Sequence, residues 1–224
     1  MIRFYFHHTP NPMKVALFLE ESNLAYEVIP VDIFKHEQHT SEYLSINSNG
    51  KVPAIVDGEV VVFDSNAILL YLGEKTGQFM SNNRGELLSW LMFVATGLGP
   101  YSGQAVHFQT STAPVPYAIN RYRREAERLY GILNDRLSDR AFILGDEYSI
   151  VDMSAWGWID RYPVVLGENA LDELPDLKRW YQSINARPAV ARAKSIAKDI
   201  QFKTTFDEET LRSMFPQNYP KVQL

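Results

Sequence analysis

The hydrophobic period of this chain changes once, near residue 80, and that single change limits the folds open to it. Ahead of it, Ile2 to Phe6, Tyr26 to Val31, Lys51 to Val56 and Glu59 to Phe63 are short aromatic and β-branched runs that read as strands. Beyond it, Leu87, Leu88, Leu91 and Met92, then Tyr122, Ala126, Leu129, Tyr130, Leu133 and Leu137, recur at helical spacing, and strand alternation disappears. A chain of 224 residues built this way divides into an α/β unit and an all-α unit. Gly, Ser and Asn cluster between Thr76 and Arg84, which predicts domains over residues 1–80 and 86–224.

Local signals order the first unit as βαβ followed by ββα. The first strand runs into His7-His8-Thr9-Pro10-Asn11-Pro12, a loop that opens a helix over Met13 to Ser22, with Asn11 as N-cap candidate and Pro12 in the first helical position. The second strand then lies parallel to the first. Phe34 to Asn49 suits an irregular or partly helical excursion, and Lys51 to Val56 reads as a strand interrupted near its start by Pro53. Asp57-Gly58 turns it into the fourth strand. Asp64-Ser65-Asn66 starts a helix for which Gly77 is the stop. In the second unit, Gly97-Leu98-Gly99-Pro100 breaks or ends a helix, and Thr110 to Pro116 is a loop. Ser149-Ile150-Val151-Asp152 is a capping box assigned to folding, and Trp156 and Trp158 read as core.

Several chemistries are excluded by composition. There is no Cys, so the chain has no disulfide, no thiolate metal site and no thiol nucleophile of its own. With 22 Lys and Arg against 27 Asp and Glu, the net charge of −5 carries no footprint for nucleic acid or an anionic membrane. No window approaches the roughly 18 to 20 apolar residues of a membrane span, and the first residues lack the pattern of a signal peptide, so a cytoplasmic protein is expected. His7 and His8 are adjacent, and His36 and His39 have only Glu37 nearby, so no metal site is predicted.

Phe4-Tyr5-Phe6 through Thr9-Pro10-Asn11, Lys14, Phe18-Leu19-Glu20-Glu21, Lys51 to Asp57, and Gly97-Leu98-Gly99-Pro100 with Gly103-Gln104 form an ordered set. Together they resemble the cytosolic glutathione transferase family, in particular its nu-class branch of glutathione-dependent disulfide-bond reductases, related to the yeast prion-type nitrogen regulator. The likeness covers nearly the whole chain. It implies an N-terminal thioredoxin-like βαβ-ββα domain followed by an all-helical glutathione-transferase C-terminal domain. Pro12 departs from the Gly expected at that position of the branch.

The resemblance implies that Thr9 and Asn11 surround the sulfur of glutathione. Chemistry agrees, since an alkyl thiol is mostly protonated at neutral pH and hydrogen-bond donors at a helix start favour its thiolate. Simple capping is the plainer use of the same residues. Tyr5, the type of donor other classes use, sits inside the strand and is read as packing. Pro53 is expected to be cis, with the backbone at Val52 pairing with the cysteinyl unit like an added strand; an ordinary edge-strand proline fits the same pattern. Asp64-Ser65 opens a helix whose free N–H groups suit the γ-glutamyl carboxylate, while Asp64 is placed for the ammonium; an N-cap alone is the plainer reading. Gln38 and Lys51 flank the expected groove, where by resemblance Gln38 contacts the glycyl unit or a second glutathione and where plain solvation is the other reading of both; by resemblance Arg121 reaches the site, from a partner subunit. Its other reading is a solvated helix cation among Arg123, Arg124 and Arg128.

The function expected is an enzyme with glutathione as cosubstrate and no metal, acting on a small disulfide or an electrophile as a homodimer, without nucleic-acid or membrane partners. A non-catalytic glutathione-binding or protein-interaction module shares every one of these folding motifs.

Overall fold

The structure is a computed structural model, in which residues 1–110 and 113–219 are described; Ser111 and Thr112 of the expected Thr110 to Pro116 loop, and the last five residues of the second domain, lie outside them. Strands β1 (Ile2–Phe6), β2 (Tyr26–Pro30), β3 (Ala54–Asp57) and β4 (Val60–Phe63) form one sheet in the order β2-β1-β3-β4. The β1–β2 pair is parallel, joined by helix α1 (Pro10–Ser22), and β3 runs antiparallel to both neighbours. Strand alternation sorts the side chains: Phe4 and Phe6 enter the main core with α1 and α3 (Ser65–Thr76), while Tyr5 packs on the opposite face with Val31, Tyr43, Ala54 and Val56. The Tyr5 ring meets Tyr43 edge-on at 5.7 Å, so it is the packing residue its place in the strand implies.

Helix α1 is buried without interruption from Pro12 to Leu19, because it is covered on every side. The sheet and α3 lie on one flank, and α7 (Ile150–Ile159) and α10 (Pro188–Ser195) of the helical domain on the other. One hydrophobic core thus runs through both domains. The helical domain continues with α4 (Arg84–Phe93), α5 (Gly99–Thr110), α6 (Pro116–Arg136), the short α8 (Tyr162–Val165), α9 (Pro175–Asn185) and α11 (Glu208–Met214). The short α2 (Ser41–Ile46) completes the first domain on the Tyr43 face.

Two expectations are corrected. Gly97 to Pro100 does not interrupt the helical path: Val94–Leu98 is a π-helical turn joining α4 to α5, with the Gly99 N–H donating to Val94 O. The wider turn admits the Pro100 ring without ending the helix. The first helix also begins two residues early, with Thr9 as N-cap and Pro10 in the first position, because Pro10 meets the same φ requirement as Pro12.

The tail of the chain returns to the first domain: Lys203 N–H donates to Asp32 Oδ2 at 2.8 Å, and the Ser213 hydroxyl donates to Ile33 O at 2.6 Å. Beneath it lies His7, 4% exposed, its ring 4.4 Å from that of Phe202 and 5.3 Å from that of Phe34. Burial pushes the His7 imidazole down to about 4, against the pull of the Asp32 carboxylate 3.6 Å away. The folded protein therefore refuses a proton that the unfolded chain accepts near pH 6.5, so stability is full above that pH and falls as the pH drops toward 4. We predict that His7 contributes a loss of about 3 kcal/mol across this window, so that the dependence is shallower in His7→Phe and the remainder comes from His8 and His39, which burial also pushes down, as read from urea midpoints at several pH values.

Candidate functional site

Strand register assembles the site. Tyr5 pairs with Ala54 and Ala54 with Phe63, so the end of β1, the start of β3 and the end of β4 share one edge of the sheet. Thr9 and Asn11, Val52 and Pro53, and Asp64 and Ser65 follow from those ends and are therefore neighbours. The Val52-Pro53 peptide is cis and lies just ahead of β3, which begins at Ala54, so Pro53 removes no donor from the ladder.

At the start of α1 few donors are free. The Thr9 N–H is taken by His7 O at 2.7 Å, and Pro10 and Pro12 carry no N–H. Asn11 is then the one residue among the first three helical positions with a backbone donor to offer, at the positive end of the helix. Its side chain does not cap: the Asn11 Oδ1 accepts from Trp158 Nε1 at 3.0 Å. The Thr9 side chain makes no capping bond either. The Thr9 hydroxyl, the Asn11 amide and the Asn11 carboxamide thus gather where the helix begins.

The start of α3 is built differently. Asp64, at φ 69°, is the N-cap, and its Oδ1 accepts from Asn66 N at 2.9 Å and Ala67 N at 3.1 Å. Ser65 is buried, and its Oγ accepts from Lys14 Nζ at 3.4 Å. Lys14 is 1% exposed; burial pushes its amine down to about 7, with Asp64 pulling the other way. An anion held at Ser65 would meet a hydroxyl, a helix N-terminus and, behind them, the Lys14 amine, whose protonated form the anion would favour.

Helix α7 supports both helix starts. The Ser154 hydroxyl donates to Asn66 Oδ1, and Trp158 holds Asn11. Gly157 leaves room for Lys14, since a Cβ there would lie 2.5 Å from Lys14 Cγ. Residues 154, 157 and 158 share one helical face, a spacing visible in the sequence although their partners are not. Sequence reasoning assigned no role to Lys14, Ser154 or Gly157 and read Trp158 as core.

The remaining candidates lie farther out. Lys51 is exposed, and its carbonyl accepts from the Tyr43 hydroxyl at 2.6 Å and Asn47 Nδ2 at 2.7 Å, which holds the approach to Val52. Gln38 is 3% exposed, its Nε2 donating to Ser213 O at 2.8 Å and Ile33 O at 3.3 Å. A hollow of about 230 Å³ lies beside it, between Phe34, Lys35, His36 and the tail residues Glu209, Arg212 and Ser213. Arg121 is exposed on α6, 3.6 Å from Glu125 and over the Tyr101 ring. Among the described residues no helix is long and apolar enough to cross a membrane, and no group of three or more His, Asp or Glu is placed to hold a metal.

Residues 2–74 match the family model "Glutathione S-transferase, N-terminal domain", and residues 116–183 match "Glutathione S-transferase, C-terminal domain". The chain is 43% identical over 204 residues to the disulfide-bond oxidoreductase YfcG of Escherichia coli (strain K12), covering 86% of this chain and 94% of that protein. It is 36% identical over 204 residues to glutathione S-transferase 2 of Schizosaccharomyces pombe, covering 81% and 89%. A crystal structure of a glutathione transferase from Burkholderia graminis with two glutathione molecules bound per subunit superposes with a TM-score of 0.81 at 35% identity, covering 88% of this chain and 89% of that one. One from Pseudomonas putida with one glutathione disulfide bound per subunit gives 0.80 at 34%, covering 87% and 91%.

Proposed function

The chain belongs to the glutathione transferase family, and from that premise we propose that it is a glutathione-dependent disulfide reductase of the nu-class type. The carrying observation is the gathering of the Thr9 hydroxyl with both Asn11 donors at the start of α1, on the same sheet edge as cis-Pro53 and Ser65. Ser65 with Lys14 behind it takes the γ-glutamyl carboxylate, and the free Oδ2 of Asp64 takes the ammonium. The backbone at Val52 pairs with the cysteinyl unit. That leaves the sulfur before Thr9 and Asn11, whose donors lower its pKa.

Without Cys, both thiols come from glutathione. The first thiolate attacks one sulfur of the disulfide substrate, forms a mixed disulfide and expels a thiolate that takes up a proton. A second glutathione thiolate then attacks the glutathionyl sulfur, releasing the other substrate thiol and glutathione disulfide. Relatives crystallised with two glutathiones or with glutathione disulfide support a site of this capacity. Exposed Val60, Val61 and Phe63 on edge strand β4, with Met92 on α4, support a homodimer, from which Arg121 of one subunit would serve the other's site. We place the enzyme in the cytoplasm.

The test is NADPH consumption in an assay coupled to glutathione reductase, with a small disulfide substrate and the uncatalysed rate subtracted. Turnover is expected. Tight glutathione binding without turnover would move the reading to conjugation of carbon electrophiles, or to a non-catalytic binding module if that also fails.

A further inference from the structure

We propose that Trp158 is a positioning residue for the sulfur site: its indole N–H fixes the Asn11 carboxamide with the NH₂ directed at the glutathione sulfur, and Gly99 and Gly103 form the notch that seats its ring. The inference rests on the functional reading above and assigns the device that orients one of its two sulfur donors.

A carboxamide has an accepting end and a donating end of nearly the same shape. Only the donating end favours a thiolate; the carbonyl oxygen would repel it. Which end faces outward depends on what holds the other, and an indole N–H can only donate. Trp158 Nε1 lies 3.0 Å from Asn11 Oδ1, so the oxygen is turned inward and the NH₂ is turned away from the indole. The link spans 147 residues and joins the two domains at the site.

The surroundings of the ring bear this out. A Cβ at Gly99 would stand 2.8 Å from Trp158 Nε1, and one at Gly103 would stand 3.2 Å from its Cη2. Glycine inside a helix weakens it relative to alanine, and here two fall four residues apart on the one face the indole covers. The π-helical turn over Val94–Leu98 immediately precedes them and inserts one extra residue, which rotates everything downstream by about 100°. Without that extra residue, the face carrying Gly99 and Gly103 would not meet Trp158. From below, the Tyr130 hydroxyl donates to the Trp158 carbonyl at 3.3 Å and steadies the end of α7. Glycine pair, π turn and tryptophan then have one purpose, to bring an indole N–H to Asn11.

The test is Trp158→Phe, which keeps a ring in the notch and removes the donor. Expected is a fall of roughly 3- to 10-fold in kcat with KM for glutathione changed less than about twofold, the scale of one neutral hydrogen bond. The pKa of enzyme-bound glutathione, followed by thiolate absorbance at 240 nm, should rise by about half a unit to one unit. In the Asn11→Ala background the same substitution should cost nothing further, because Trp158 then has nothing to orient. Equal losses in both backgrounds would make Trp158 a packing residue and overturn the proposal. Gly103→Ala, which crowds the ring without touching the N–H, is expected to give the same signature more weakly and covers the case in which Trp158→Phe folds poorly. Side-chain NMR of the Asn11 carboxamide separates this inference from the reading beneath it. A wild-type protein with no thiolate signal would overturn the functional reading, and Asn11 side-chain resonances unmoved by Trp158→Phe would overturn the positioning.

Discussion

Asp152→Ala is expected to lower the unfolding free energy by about 4 kcal/mol and the melting temperature by roughly 10 °C, the scale for stripping the acceptor from a buried polar network in a protein of this size. Asp152 is fully buried at the start of α7. Its Oδ1 accepts from Ile143 N and Trp180 Nε1, both at 2.9 Å, and its Oδ2 from Ser149 N and Ser149 Oγ, both at 3.0 Å. One carboxylate therefore ties the loop after α6, the cap of α7 and the middle of α9 together. Alanine leaves four donors without their acceptor in the interior. Asp152→Asn keeps one accepting oxygen and should cost about half as much, because its NH₂ then faces donors at Ser149. Differential scanning calorimetry decides: a shift under about 3 °C for Asp152→Ala would mean the network is not what holds α7. The kcat of the folded fraction, measured well below the transition, should fall less than in Trp158→Phe, since Asp152 reaches the Thr9 and Asn11 end of the sheet only through the α7 backbone.

That capping box was legible because its four residues are consecutive, and so were the strand runs, the Gly58 turn and the two helices that begin at the sheet edge. What escaped is of three kinds. At Thr9-Pro10-Asn11-Pro12, two cap-forming residues alternate with two prolines, and either pair satisfies the same local rules; the choice of Thr9 was made by the fold. At Gly97-Leu98-Gly99-Pro100, breaker residues gave way to a π turn because a ring from another helix needed the space. Partners far apart in sequence account for the rest. Trp158 reaches Asn11 across 147 residues, and Gln38 reaches the carbonyl of Ser213 across 175. Periodicity records which face of a helix is apolar, not which polar atom waits on the other side. Hence the residue types of the site could be read locally, while the helix that orients them could not.

Asn11→Ala is expected to cut kcat for disulfide reduction by on the order of 10²-fold, the scale of losing one preorganised donor to a developing or resident anion. KM for glutathione should stay within about threefold, because the contacts assigned to binding, at Val52, Asp64, Ser65 and Lys14, are untouched. The backbone N–H of Asn11 remains in the variant, so what is removed is the carboxamide alone. Its loss disfavours the thiolate relative to the thiol, so the pKa of bound glutathione rises and the acid limb of the pH–rate profile moves to higher pH. Raising the pH should therefore recover part of the lost rate, which a folding defect would not allow. Trp158 also loses its acceptor, for a stability cost of about 1 kcal/mol, too small to explain the rate. Thr9→Val should share the direction of the effect, since the Thr9 hydroxyl is the other side-chain donor at that helix start. An Asn11→Ala enzyme with wild-type kcat would remove Asn11 from the reaction and leave the thiolate to Thr9 and the helix terminus.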